Sequence, residues 1–130
     1  MRERISVIEA VVPMASAPGI RFSTVHVELD PYGVPEVVSV DGMGLAQLRS
    51  RLERDARSCT MREKGCRPEK GIYACYICRE TREKIALAEL LRSKRGSAAV
   101  MQALRHATAR ALEGLMDRLR AEARMELLGA

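Results

Sequence analysis

Four cysteines are the residues best suited to chemistry in this chain of 130 residues. They are Cys59, Cys66, Cys75 and Cys78, with six, eight and two residues between successive members. The two-residue gap between Cys75 and Cys78 lets both sulfurs reach one ion at about 2.3 Å, with backbone amides turned toward the thiolates. A thiolate near the start of a helix is also favoured by the helix dipole. The cysteines therefore predict a single metal centre.

The kind of centre has three interpretations. A closed tetrahedron of four thiolates around zinc is the simplest, and an iron–sulfur cluster takes the same four ligands. Two disulfides without metal are the third. The six residues between Cys59 and Cys66 exceed the spacing of common zinc modules. This pair joins the other only if residues 67–74 fold back, which Pro68 and Gly71 would allow.

The polar composition bears on the disulfide alternative. The chain contains no Asn, two Gln, eighteen Arg and four Lys. Depletion of amides that deamidate when hot is typical of thermophile proteins, whose cytosol tolerates disulfides. A GC-rich genome would also favour Arg over Lys. The thermophile interpretation and the disulfides therefore both stay open.

Positive charge is concentrated around the cysteines. Basic and acidic side chains number three and six in residues 1–42, fourteen and seven in residues 43–95, and five and four in residues 96–130. Arg side chains grip phosphates through a forked donor, and Tyr73 and Tyr76 could stack on bases. The interleaved acidic residues could instead pair locally with the arginines. The candidate nucleic-acid-binding residues are Arg49, Arg54, Arg57, Arg62, Lys64, Arg67, Lys70 and Arg79.

The first part of the chain predicts a small antiparallel three-stranded sheet. Residues 5–12 are apolar and β-branched, and residues 20–29 alternate between apolar and polar side chains. Residues 30–33 contain Pro and Gly at turn positions, so residues 34–40 form the next strand of a hairpin.

The period changes after residue 42, and about three helices are predicted. They cover residues 45 to about 62, about 79–95 and about 98–127. The expected fold is therefore α+β in a single domain, residues 1–130. Its β-rich part is 1–42, its basic helices with the cysteine site are 43–95, and its long C-terminal helix is 96–130.

The function classes follow from these features. Only His26 and His106 are available for histidine chemistry, and no phosphate-binding glycine loop occurs, so an enzyme is disfavoured. We expect a non-enzymatic, metal-stabilised nucleic-acid-binding protein, or a subunit of a nucleic-acid-processing complex, that contacts DNA or RNA. The alternative is a structural or adaptor protein that oligomerises through its Ala- and Met-rich C-terminal helix. No apolar stretch approaches the roughly 20 residues of a membrane helix, so we expect a cytoplasmic protein. The apolar surface of the C-terminal helix predicts a homo-oligomer or a subunit of a larger assembly.

Overall fold

The computed structural model describes residues 6–16, 19–59 and 65–129, and it has an α+β fold in which a sheet precedes the helices. The strands are β1 (Ser6–Met14), β2 (Arg21–Leu29), β3 (Pro35–Val40) and β4 (Met43–Gly44). The helices are α1 (Leu45–Arg57), α2 (Tyr76–Arg92) and α3 (Ser97–Gly129), with a short 3₁₀ helix at Pro68–Lys70. The predicted α+β class is confirmed.

The sheet is an antiparallel meander in the order β1-β2-β3-β4, so each strand pairs with its neighbour along the chain. β2 is paired on both sides, and its Val27 lies opposite Ile8 of β1 and Val38 of β3. The alternation predicted for β2 is confirmed, because Val25, Val27 and Leu29 are buried while the residues between them are exposed or half-buried. One face of the sheet therefore points into the core.

The prediction of three strands is wrong, because Met43–Gly44 forms a fourth strand beside the end of β3. Val40 pairs with Met43 across a two-residue turn made by Asp41 and Gly42. Both turn residues have positive φ, 52° and 76°. This conformation matches the twist of a tight hairpin, and an Asp-Gly pair adopts it readily. The chain therefore makes one more hairpin before it enters α1.

The three helices cover the inner face of the sheet. Their apolar sides meet the strands in an aliphatic core, as expected for a chain with one Phe and no Trp. Burial of this apolar surface is the main term that stabilises the fold. The buried core residues are Val12, Val25, Val27, Leu29, Val38, Val40, Leu48, Leu87, Ala88, Leu91, Val100, Ala103 and Leu104.

A polar network around Asp41 joins the β3–β4 turn to β2 and α2. The carboxylate accepts hydrogen bonds from the Ser23 hydroxyl and the Thr24 N–H, each at 2.9 Å. Lys84 of α2 places its ammonium 3.0 Å from the same carboxylate. Burial by itself raises the pKa of Asp41, but the bonds from Lys84, Thr24 and Ser23 outweigh it and hold that pKa below its usual 3.8.

Two glycines bring the β2–β3 turn against the α2–α3 turn. Gly96 donates its N–H to the Gly33 carbonyl at 2.8 Å. A Cβ on Gly33 would lie 2.9 Å from the Gly96 nitrogen, so any side chain there would separate the two turns. Both residues also have positive φ, 80° and 87°, which glycine adopts without strain. This contact fixes the end of α2 to the sheet.

The helix bounds differ from the predicted ones. α1 ends at Arg57 rather than near residue 62, because Ser58 leaves the helical conformation and its hydroxyl donates to the Arg54 carbonyl at 3.2 Å. α2 lies three residues earlier than the predicted 79–95, and α3 extends slightly beyond the predicted 98–127 at both ends. No helix among the described residues is long and apolar enough to cross a membrane.

Asp41→Asn should destabilise the fold near neutral pH, by roughly 1–3 kcal/mol, because the variant loses a charged acceptor of several bonds. The pKa of Asp41 in the folded state is below its usual 3.8, so the ionised carboxylate stabilises the folded protein in full at pH values above 3.8. The contribution is lost as the pH falls through the folded-state pKa. Thermal unfolding at several pH values should therefore show a gap between wild type and variant that closes in acid. Glu36→Gln, on the exposed side of β3, is the matched control. An equal gap at all pH values would contradict this role.

Candidate metal centre

Cys75 and Cys78 occupy the N-terminal end of α2. Cys75 is the N-cap residue, with extended backbone angles of φ −76° and ψ 150°. Its sulfur accepts the N–H of Cys78 at 3.4 Å, in the manner of the side-chain oxygens that commonly cap helices. α2 therefore begins at Tyr76, directly after this cap. Both sulfurs lie at the positive end of the helix dipole, which favours thiolates.

A tight turn brings Cys66 back to this helix end. Arg67 and Ile72 form an antiparallel bridge, in which Arg67 donates to the Ile72 carbonyl at 2.8 Å and Ile72 donates to the Arg67 carbonyl at 3.0 Å. The 3₁₀ helix at Pro68–Lys70 lies between them and ends at Gly71, whose φ is 69°. This segment therefore folds back, which is the condition for the two cysteine pairs to meet.

The returning chain places the Cys66 sulfur beside the α2 cap. Its sulfur accepts the N–H of Ala74 at 3.2 Å and the N–H of Cys75 at 3.3 Å. A Cβ on Gly65 would lie 3.0 Å from the Ala74 side chain, so glycine permits this close approach. Cys59 follows α1, and its sulfur lies 3.5 Å from that of Cys66. The two cysteine pairs therefore meet.

The sulfur spacing suits one metal centre. The Sγ atoms of Cys59, Cys75 and Cys78 all lie within 4.8 Å of one another. Cys66, the fourth predicted ligand, is not a member of this group, although its Sγ lies 3.5 Å from that of Cys59. Four sulfurs at about 2.3 Å from a tetrahedral ion would be roughly 3.8 Å apart. None of the four cysteines is in a disulfide. The 3.5 Å between the sulfurs of Cys59 and Cys66 far exceeds a disulfide bond of about 2.05 Å. The cluster can hold a metal, and no disulfide joins its members.

Mutual repulsion makes this cluster costly to ionise without a cation. Burial raises the pKa of Cys78 to about 12, together with the hydrogen bond that its thiol donates to Cys75 and the nearby charges of Cys75, Cys59 and Cys66. Burial also acts to raise the pKa of Cys66, but the N–H donors of Cys75 and Ala74 bring it below its usual value. A bound cation would stabilise all the thiolates together. The donors are all sulfur, which suits zinc or iron–sulfur rather than calcium or magnesium.

A groove of roughly 880 Å³ runs beside the cluster, and we call it the metal-centre groove. Cys66 and Cys78 are 0% and 1% exposed, whereas Cys59 and Cys75 are half-buried. The centre is therefore reached from the groove side. The groove is lined by Arg51, Asp55, Ser58, Cys59, Ala74, Cys75, Tyr76, Ile77, Cys78 and Arg79.

The predicted basic residues do not all face this groove. Arg79 lines it, in the first turn of α2. Arg54 lines an adjoining groove of roughly 470 Å³, which shares Arg51 with the metal-centre groove. Arg67 turns back to donate to the Cys66 carbonyl at 2.9 Å. Two further predicted residues, Arg62 and Lys64, lie outside the described residues.

The remaining basic candidates lie elsewhere on the surface. Arg49 forms an ion pair at 3.0 Å with Glu89, which links α1 to α2. Arg57 pairs along its own helix with Glu53 at 3.3 Å. Lys70 is exposed on the 3₁₀ helix. Exposed ion pairs of this kind contribute little to the free energy of unfolding, so Arg49 and Arg57 can exchange their partners readily.

The two tyrosines near the cysteines differ in exposure. Tyr73 is half-buried, with the Arg82 guanidinium 5.0 Å from its ring centre. Tyr76 is 51% exposed and lines the metal-centre groove. Arg51 lines the same groove but is absent from the predicted set. Its place in the groove depends on how α1 packs against α2, and no local pattern around Arg51 in the sequence indicates that packing.

The two histidines are separate from the cysteine cluster. His26 lies on the outer face of the sheet, where its ring is 3.1 Å from Glu9 and 3.6 Å from Glu28. His106 is exposed on α3. In the part of the chain that the structure describes, neither histidine joins the group that could hold a metal ion.

Comparison with known proteins adds no relative. The chain matches no model of a protein family, no curated protein and no solved structure. The function is therefore inferred from the cysteine cluster and the surface around it.

Cys78→Ser should remove most of the bound metal and abolish the response of thermal stability to a chelator. The variant takes a buried sulfur out of the cluster, and metal binding contributes folding free energy. Elemental analysis and melting curves with and without chelator measure both effects. Ile77→Ala is the matched control, since Ile77 is exposed between the two ligand positions. Full metal content in Cys78→Ser would show that this sulfur is not a ligand.

Proposed function

We propose that this chain is a non-enzymatic nucleic-acid-binding protein, or a subunit of a nucleic-acid-processing complex, stabilised by one zinc ion. One observation carries the proposal. The same groove that opens onto the cysteine cluster is lined by Arg51, Tyr76 and Arg79, which are side chains suited to phosphates and bases. A cytoplasmic location accords with four cysteines that form no disulfide.

Zinc is favoured by the composition of the cluster. Four thiolates fill the tetrahedral shell of zinc and leave no position for a substrate, which supports a structural role rather than catalysis. An iron–sulfur cluster would use the same ligands and would give the protein a brown colour. A zinc ion in this cluster would join the end of α1 to the start of α2. Cys59 and Cys66 would bind it from one side, and Cys75 and Cys78 from the other.

The charge of the surrounding segment supports nucleic acid as the partner. Residues 43–95 hold fourteen basic and seven acidic side chains, and the cysteine cluster lies within them. Arg54 and Arg57 are exposed on α1, and Arg79 is exposed at the start of α2. A metal that fixes these helices together holds the arginines in one arrangement, which reduces the entropy lost on binding.

A second candidate is an adaptor that oligomerises through α3. The last turns of this helix carry large apolar side chains in solvent, with Leu127 and Leu128 80% and 81% exposed. Met125 is also exposed there. Apolar surface of this kind is typical of a protein interface. A tight oligomer or a co-purifying protein, without any bound nucleic acid, would favour this candidate over the first.

The proposed function predicts nucleic-acid binding that weakens steeply with salt. Fluorescence anisotropy of labelled DNA and RNA with zinc-loaded protein should give a log–log slope of about −0.7 to −0.9 for each phosphate neutralised. Arg79→Gln should weaken binding and reduce the slope by about one phosphate, since this residue lines the groove. Arg124→Gln removes the same charge from exposed α3 and should change little. Absent or salt-insensitive binding would refute the proposal.

A further inference from the structure

The residues that line the metal-centre groove bear on which form of nucleic acid it could accept. We infer that its occupant is a strand with unpaired bases, either RNA or single-stranded DNA, that lies over the open side of the metal centre. This inference rests on the proposed function and names the form of nucleic acid that the groove accepts. Three features of the groove carry it.

The first feature is an aromatic ring in the groove wall. Tyr76 is 51% exposed, and its neighbour Ile77 is 48% exposed. Both lie in the first turn of α2, whose cap is Cys75, so the metal centre would fix their position. A base can stack on such a ring only when its face is free. In a duplex the faces are occupied by neighbouring base pairs, so a strand with unpaired bases suits this wall better.

The second feature is the placement of positive charge on both sides of the groove. Arg51 comes from α1 and Arg79 from α2, and both line it. Arg51 also lines the adjoining groove with Arg54, so the basic surface continues along α1. Among the described residues, Asp55 is the only carboxylate in the lining of the metal-centre groove. It forms ion pairs with Arg51 at 3.7 Å and Arg54 at 3.8 Å. Phosphates of a bound strand would compete for these guanidinium groups.

The third feature is that the open side of the metal centre faces this groove. Cys59 and Cys75 are half-buried and belong to its lining, whereas Cys66 is fully buried. A strand that fills the groove would cover Cys59 and Cys75. Bound nucleic acid should therefore slow removal of the metal by a chelator, although it makes no bond to the metal.

Two measurements on the zinc-loaded full chain test the inference. The first compares anisotropy of labelled oligo-dT, oligo-U and a blunt DNA duplex of equal length at one salt concentration. Both single strands should bind more tightly than the duplex, because their base faces are free to stack. Tyr76→Leu should weaken single-strand binding by roughly tenfold or more, and Tyr76→Phe should retain it. Tyr32→Leu is the matched control, because Tyr32 is 88% exposed on the β2–β3 turn.

The second measurement follows zinc release to a chromogenic chelator with and without oligo-dT or oligo-U. Saturating single strand should slow release at least severalfold in wild type. Metal content and circular dichroism of Tyr76→Leu establish that the variant is folded, and Tyr76→Phe provides a second variant if it is not.

The possible failures are distinguishable. Tight duplex binding that does not depend on Tyr76 and leaves zinc release unchanged would overturn the groove assignment while the proposed function stands. No binding to any of the three oligonucleotides would overturn both. Single-strand binding that Tyr76→Leu leaves unchanged would also remove the groove from the binding surface.

Discussion

The convergence of four sulfur atoms at the junction of α1 and α2 is the constraint on which the functional part of this molecule depends. Cys59 follows α1, Cys75 caps α2, and Cys66 lies between them on a turn that bridges Arg67 to Ile72. Burial, together with the charges of the neighbouring thiolates, makes Cys78 hard to ionise and raises its pKa to about 12. A shared cation would offset this cost, so metal binding would be thermodynamically linked to the arrangement of the two helices.

α2 transmits this constraint to the rest of the fold. Its first turn belongs to the metal centre, and its later residues Leu87 and Leu91 pack in the core. Between these ends, Glu83 accepts the backbone N–H groups of Ala15 and Ser16 at 2.7 and 2.9 Å. These contacts hold α2 against the sheet. The metal-centre groove lies where α2 meets the end of α1.

Much of the fold could be predicted because local patterns and tertiary structure agree. The alternation of apolar and polar residues in β2 reflects a local geometry that a few neighbouring residues determine. The same holds for the two-residue gap between Cys75 and Cys78. The fourth strand was missed because it spans only Met43–Gly44, and its signal was the preceding Asp-Gly turn. Which arginines face the groove could not be predicted, since that depends on how α1 packs against α2. The start of α2 was placed late because a cysteine sulfur serves as its cap.

The most direct test of the metal centre is elemental analysis of the purified chain combined with a thiol titration under denaturing conditions. Four thiolates around a single structural ion predict one zinc and four titratable thiols per chain. Iron with acid-labile sulfide would identify the centre as an iron–sulfur cluster instead of zinc, and would indicate a redox role. A chain with neither metal nor free thiols would contain two disulfides, and it would contradict the metal centre.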